Sequence, residues 1–203
     1  MLRVGVTGNI GSGKTTVCRI FESMMVPVYY ADARAKALMV EDESVQQAIL
    51  ELLGPQAYLP DGSLNSAWIA QRVFNNSDLL RQLNEIVHPV VHRDLQAWFT
   101  RQEAIGHPYA IEEAALLFES GAYQLLDKII VVVAPEPVRL QRVMARDGVS
   151  EAQVRARMKA QWPEGVKAGQ ADYLIVNDGT HPLPEQVARI HQQLIHEAKA
   201  KLN

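Results

Sequence analysis

Leu2-Arg3-Val4-Gly5-Val6-Thr7-Gly8-Asn9-Ile10-Gly11-Ser12-Gly13-Lys14-Thr15-Thr16 is the stretch that decides the fold. Residues 2–7 form a short apolar run rich in β-branched side chains, glycines then interrupt it, and a helical pattern takes over as far as Met25. Strand, glycine-rich loop and helix supply the context that gives Gly-x-x-x-x-Gly-Lys-Ser/Thr, here residues 8–15, a chemical meaning. Glycines at 8, 11 and 13 let the backbone curl so that successive N–H groups point inward at phosphate oxygens. The helix that follows adds its positive N-terminal end. Lys14 is placed to neutralise the β and γ phosphates, and the Thr15 hydroxyl is an oxygen ligand of the kind Mg²⁺ takes. Gly8, Gly11, Ser12, Gly13, Lys14, Thr15 and Thr16 are therefore the expected ATP-binding residues.

Beyond this segment, 28–30 reads as a second strand that meets Asp32, and 33–40 reads as helix. From 43 to 104 the pattern is helix after helix, punctuated by Gly54-Pro55, Pro60-Asp61-Gly62-Ser63, Asn75-Asn76-Ser77 and His88-Pro89. Strands resume at 109–114, at 129–134 and at 173–176. The run Ile129-Ile130-Val131-Val132-Val133-Ala134 suits a parallel strand covered on both faces. Helices are expected at 137–147, from Ser150 with Gln153 completing a capping box, and at 183–201. The alternation predicts an α/β fold: a five-stranded parallel sheet flanked by helices in one domain over 1–203, with a helical insertion at 43–104.

Composition narrows the class. Charged residues make up 21% of 203 residues and the formal net charge is −3, against a dedicated nucleic-acid binder, whose affinity comes from excess Lys and Arg. The one cysteine, Cys18, fits a reducing compartment, and no run is apolar enough for a signal peptide or a membrane span. A cytoplasmic enzyme is the expectation. Pro89 between His88 and His92 leaves no zinc-ligand set, and Trp68, Trp98 and Trp162 read as packing residues.

A phosphate loop alone is shared by GTPases, ATPase motors and small-molecule kinases. The guanine-reading Asn-Lys-x-Asp is absent, and Ala110-Ile111-Glu112-Glu113 is an imperfect match to a motor's acidic strand end. Asp32 closes the second strand, and carboxyl ends of strands surround the ligand site in this architecture. Its carboxylate suits a general base that accepts a hydroxyl proton, or a cap on the helix from 33, or both. Arg139, Arg142 and Arg146 recur at helical spacing, with Arg155, Arg157 and Lys159 beyond them against only Asp147 and Glu151. This is the composition of a phosphate-clamping lid over 137–165, the alternative being a solvated basic face. Lys14 and Asp32, with arginines of this lid, are the expected catalytic residues.

With these residues placed, the sequence resembles the dephospho-CoA kinase family over essentially its whole length. The likeness includes residues 8–15, Ala31-Asp32, His88-Pro89, Leu116-Leu117-Phe118-Glu119, Arg142, Arg146, Gln161, Ala171-Asp172 and Asn177-Asp178-Gly179. It implies a P-loop kinase with a nucleotide core, a coenzyme-binding insertion and a lid, using ATP with Mg²⁺ and dephospho-CoA as acceptor. Asp32 would deprotonate the ribose 3′-hydroxyl, Arg142 and Arg146 would be the catalytic arginines of the lid, His88, Arg93, Leu117 and Glu119 would lie by the acceptor, and Asn177 by the adenine. Tyr30, Ala115 and Asn9 depart from the family's usual Asp, Pro and Gly. Other readings are a nucleotide or nucleoside kinase on the same fold, and a nucleotide-dependent switch, which needs neither an acceptor-facing base nor a clamp.

Overall fold

The computed structural model describes residues 1–74 and 76–201. Five strands form one parallel sheet in the order β2-β3-β1-β4-β5. They are β1 (Leu2–Thr7), β2 (Val28–Tyr30), β3 (Tyr109–Glu113), β4 (Lys128–Val133) and β5 (Tyr173–Val176). β1 is central, with Val4 beside Ile111 on one side and Lys128 on the other. The β-branched run of β4 is divided by the pleat. Ile130 and Val132 join Val4, Val6, Val17, Phe21, Ile175 and Leu194 in one core, while Ile129 and Val131 join Leu117 and Phe118 in another.

The helices are α1 (Lys14–Ser23), α2 (Ala31–Glu41), α3 (Glu43–Leu53), α4 (Ser66–Phe74), α5 (Ser77–Ile105), α6 (Glu136–Asp147), α7 (Glu151–Lys159), α8 (Glu164–Ala168) and α9 (Leu183–Lys201). The capping box at Ser150 and Gln153 is present in both directions. The chain divides into two compact units, one comprising Met1–Tyr30 and the chain from Phe99 onward, the other Ala31–Trp98. The first holds the sheet. The second has its own apolar core, in which Met39, Val45, Ile49, Leu53, Ile69, Leu83 and Val87 are buried and Trp68 packs against them.

Two expectations need correction. His88-Pro89 does not end a helix: α5 runs through it for 29 residues. Proline removes the bond to the carbonyl of Glu85, yet Glu85, His88 and Pro89 are all exposed, so water can satisfy that oxygen while Leu83, Val87 and Leu95 keep the opposite side buried. Asp32, in turn, does not precede its helix. β2 ends at Tyr30 and α2 starts at Ala31, so Asp32 stands in the first turn, where a carboxylate complements the helix dipole without being an N-cap. Of the expected turn Asn75-Asn76-Ser77, Asn75 lies outside the described residues.

Candidate active site

In the sheet unit, β1 delivers the chain to a loop over residues 8–13 and α1 starts at Lys14. Gly11 and Gly13 have φ of +80° and +95°, left-handed conformations that glycine adopts without strain. A side chain at Gly11 would also stand 2.5 Å from the Arg139 carbonyl, and one at Gly13 would meet the Asn177 amide. The Gly13 N-cap carries no side-chain acceptor, so the first N–H groups of α1 lack the usual capping partner and suit an anion. Lys14 is buried and donates from Nζ to the Gly8 carbonyl at 3.0 Å, bending its ammonium back over the loop. Ser12 Oγ is buried without a hydrogen-bond partner, while Thr15 and Thr16 are exposed on the first turn of α1.

Asn177, just past β5, is tied to this loop. Its Nδ2 donates to Ser12 O at 2.7 Å, and Arg142 donates from Nη2 to both Asn177 O and Oδ1 at 3.2 Å and from Nη1 to Gly11 O at 3.4 Å. The arginines expected to share one clamping face have different partners in the structure. Arg139 is buried, donating from Nε to Ala134 O at 2.9 Å and pairing with Glu164. Arg146 is exposed and held by Asp147, which also takes Arg157, and Arg155 is shared by Glu136 and Glu151. Much of the local cationic excess is therefore met by neighbouring carboxylates at the surface, where such pairs exchange readily for other partners.

Leu117 is fully buried in the apolar cluster beneath β4, so its side chain serves packing. Glu119 Oε1 accepts from the Trp162 N–H and from Lys167 Nζ, both at 2.8 Å, with Lys167 itself fully buried. Burial raises the Glu119 carboxyl, but these two donors outweigh it and hold it below the usual range. Lys167 has no counterpart in the sequence reading, because a lysine between Val166 and Ala168 in a short helix reads as solvent-facing.

In the helical unit, Asp32 is exposed on α2. Arg34, two residues on, anchors that helix by a two-pronged contact to Asp94 of α5, Nε to Oδ2 at 3.0 Å and Nη2 to Oδ1 at 3.3 Å. The exposed His88 lines an open cavity of about 530 Å³ with Leu80, Arg81, Asn84, Glu85 and Pro89. Arg93 is exposed farther along α5. No helix among the described residues is long and apolar enough to cross a membrane.

A family model described as dephospho-CoA kinase matches residues 2–182. The chain belongs to the dephospho-CoA kinase family. A dephospho-CoA kinase of Salinibacter ruber is 45% identical over 180 residues, covering 89% of this chain and 90% of its own. Among solved structures, the TT1252 protein of Thermus thermophilus is 34% identical, with a TM-score of 0.83 over 95% of this chain and 96% of its own. The dephospho-CoA kinase of Campylobacter jejuni, at 24% identity, shares the fold with a TM-score of 0.72 over 96% and 98% of the two chains. Members of this family are ATP-dependent kinases.

Proposed function

We propose that the chain transfers the γ-phosphate of ATP to the ribose 3′-hydroxyl of dephospho-CoA, giving coenzyme A and ADP. The observation that carries this reading is the loop at 8–13, with positive-φ glycines, an uncapped helix start and a buried Lys14, in a chain of this family. The N–H groups of that loop and the Lys14 ammonium bind the β and γ phosphates and stabilise the charge that spreads during transfer. Asn177 and Arg142 brace the loop from the side, and Asn177 also borders the adenine. Arg146 exchanges its surface partner Asp147 for a phosphate oxygen, as part of a lid over 137–165.

Asp32 accepts the proton of the attacking hydroxyl and orients that oxygen. Its support is an exposed carboxylate in the first turn after β2, on a helix fixed to α5 by Arg34 and Asp94. The helical region 43–104 receives the acceptor, with His88 and Arg93 offering a polar and a cationic group; the Glu119 carboxylate and the backbone at Leu117 are the further acceptor-binding positions of this reading. Mg²⁺ fits the donor chemistry at the loop. Thr15 presents one exposed hydroxyl, and among the described residues no group of three or more His, Cys, Asp or Glu forms a protein cage, as suits an ion held chiefly by phosphate oxygens and water. When bound, the ion neutralises phosphate charge. The buried Cys18, the only cysteine, is compatible with a reducing cytoplasm.

The test is ADP formation from ATP with dephospho-CoA, AMP, CMP, adenosine or no acceptor. Dephospho-CoA should be the acceptor that raises ADP release well above background. Preference for AMP, CMP or adenosine would contradict the reading.

A further inference from the structure

Three glycines confer freedom on residues 8–13, so a loop already shaped for a polyphosphate needs pegs from outside it. At its apex, residues 9–11, those pegs come from the segment between Arg139 and Trp162. The Ile10 side chain packs against the cluster formed by Leu140, Val143 and Val154, and Arg142 donates to Gly11 O. The Ile10 N–H donates to Gln161 Oε1 at 2.8 Å, and Asn9 Nδ2 donates to Trp162 O at 3.2 Å.

Gln161 and Trp162 are fixed in turn on their far side. Gln161 Nε2 donates to Ala115 O at 3.4 Å, and the Trp162 N–H donates to Glu119, which is braced by the buried ammonium of Lys167. The Lys167 ammonium also reaches Ala115 O, at 3.3 Å. A carboxamide has an acceptor and a donor at one end of a flexible stem, so Gln161 meets the Ile10 donor and the Ala115 acceptor together; a carboxylate or an apolar chain of similar length cannot.

We propose that Gln161 is a positioning residue for the phosphate loop: it holds the Asn9–Ile10 peptide in the shape that receives ATP, with the Glu119–Lys167 pair as its footing. The inference rests on the reading of residues 8–16 as the ATP cradle. Gln161 acts through the loop's backbone and not on the substrate. Its removal leaves the loop to be ordered at the expense of ATP binding, so the loss appears in ATP affinity.

The experiment compares Gln161→Ala, Gln161→Glu and Asn9→Ala with the unaltered chain, measuring calorimetric affinity for a non-hydrolysable ATP analogue, KM for each substrate and thermal melting. Gln161→Ala should weaken analogue binding and raise KM for ATP about tenfold, with KM for dephospho-CoA within about twofold. Gln161→Glu should weaken binding too, since it sets a carboxylate oxygen against the Ala115 carbonyl. Asn9→Ala should shift ATP affinity in the same direction by less, and it decides the matter if the Gln161 variants do not fold. Analogue affinity unchanged within about twofold in every folded variant would overturn the proposal, whatever the melting temperature. An unaltered chain that binds no ATP analogue would instead overturn the ATP reading, and this proposal with it.

Discussion

Arg142 donates to Asn177 twice, to its backbone oxygen and its side-chain oxygen, while the Asn177 amide donates to Ser12 O. One guanidinium thereby joins α6, the end of β5 and the phosphate loop. Arg142→Ala should lower kcat/KM for ATP by about 10- to 100-fold, the loss expected when charge-assisted hydrogen bonds are removed from a half-buried site. Arg142→Lys should recover little, since an ammonium cannot span Gly11 O and both Asn177 oxygens as the planar fork does. Steady-state kinetics on the two variants, with circular dichroism to show that both are folded, checks this.

Asp32→Asn should retain affinity for ATP and acceptor while kcat falls by about 10²- to 10⁴-fold, the usual contribution of general-base assistance. The amide keeps size and shape but cannot take a proton. A purely electrostatic role in the first turn of α2 predicts a different outcome, a small loss of stability with normal turnover. Rapid-quench measurement of the transfer step, alongside thermal melting, separates the two.

Lys167 and Glu119 form a buried ion pair, and breaking it from one side strands a charge. Lys167→Met should destabilise the chain by about 3–5 kcal/mol, because the Glu119 carboxylate loses the donor that offsets its burial. Combining it with Glu119→Gln should restore part of that loss. Urea unfolding of the two single variants and the double variant gives the coupling between them directly.

How far the sequence discloses this arrangement depends on how local each feature is. Leu2–Thr7 and Lys128–Val133 are readable because a parallel strand buried on both faces needs apolar residues in succession, and the phosphate loop is readable because its parts are contiguous. The helix through Pro89 is not readable: the rule that proline breaks a helix gives way where the freed carbonyl faces water and the other side is packed. Asp32 falls inside the first turn of its helix because α2 starts at Ala31, directly after β2, and not at residue 33. Gln161, Lys167 and the division of labour among Arg139, Arg142 and Arg146 depend on contacts between distant segments, which spacing along the chain does not encode.

Glu112 lies on β3, 4% exposed, and burial pushes its carboxyl up to about 7 from 4.5. The folded chain therefore holds this proton more tightly than the unfolded one. Its contribution is fully present below about pH 4.5 and is lost as pH rises through about 7, so this group makes stability fall across that window. Glu112→Gln should remove that part of the slope and stabilise the chain at pH 8 by about 1–3 kcal/mol relative to its effect at pH 5. Denaturant unfolding of both proteins at the two pH values tests the sign.

Transfer to the ribose 3′-hydroxyl is tested most directly by the product formed from ATP and dephospho-CoA. Mass spectrometry and phosphorus NMR of the reaction should find one new phosphomonoester on the ribose 3′ oxygen, with one ADP released for each product molecule. ADP released without a phosphorylated acceptor, or a phosphate placed on any other oxygen of dephospho-CoA, would contradict it.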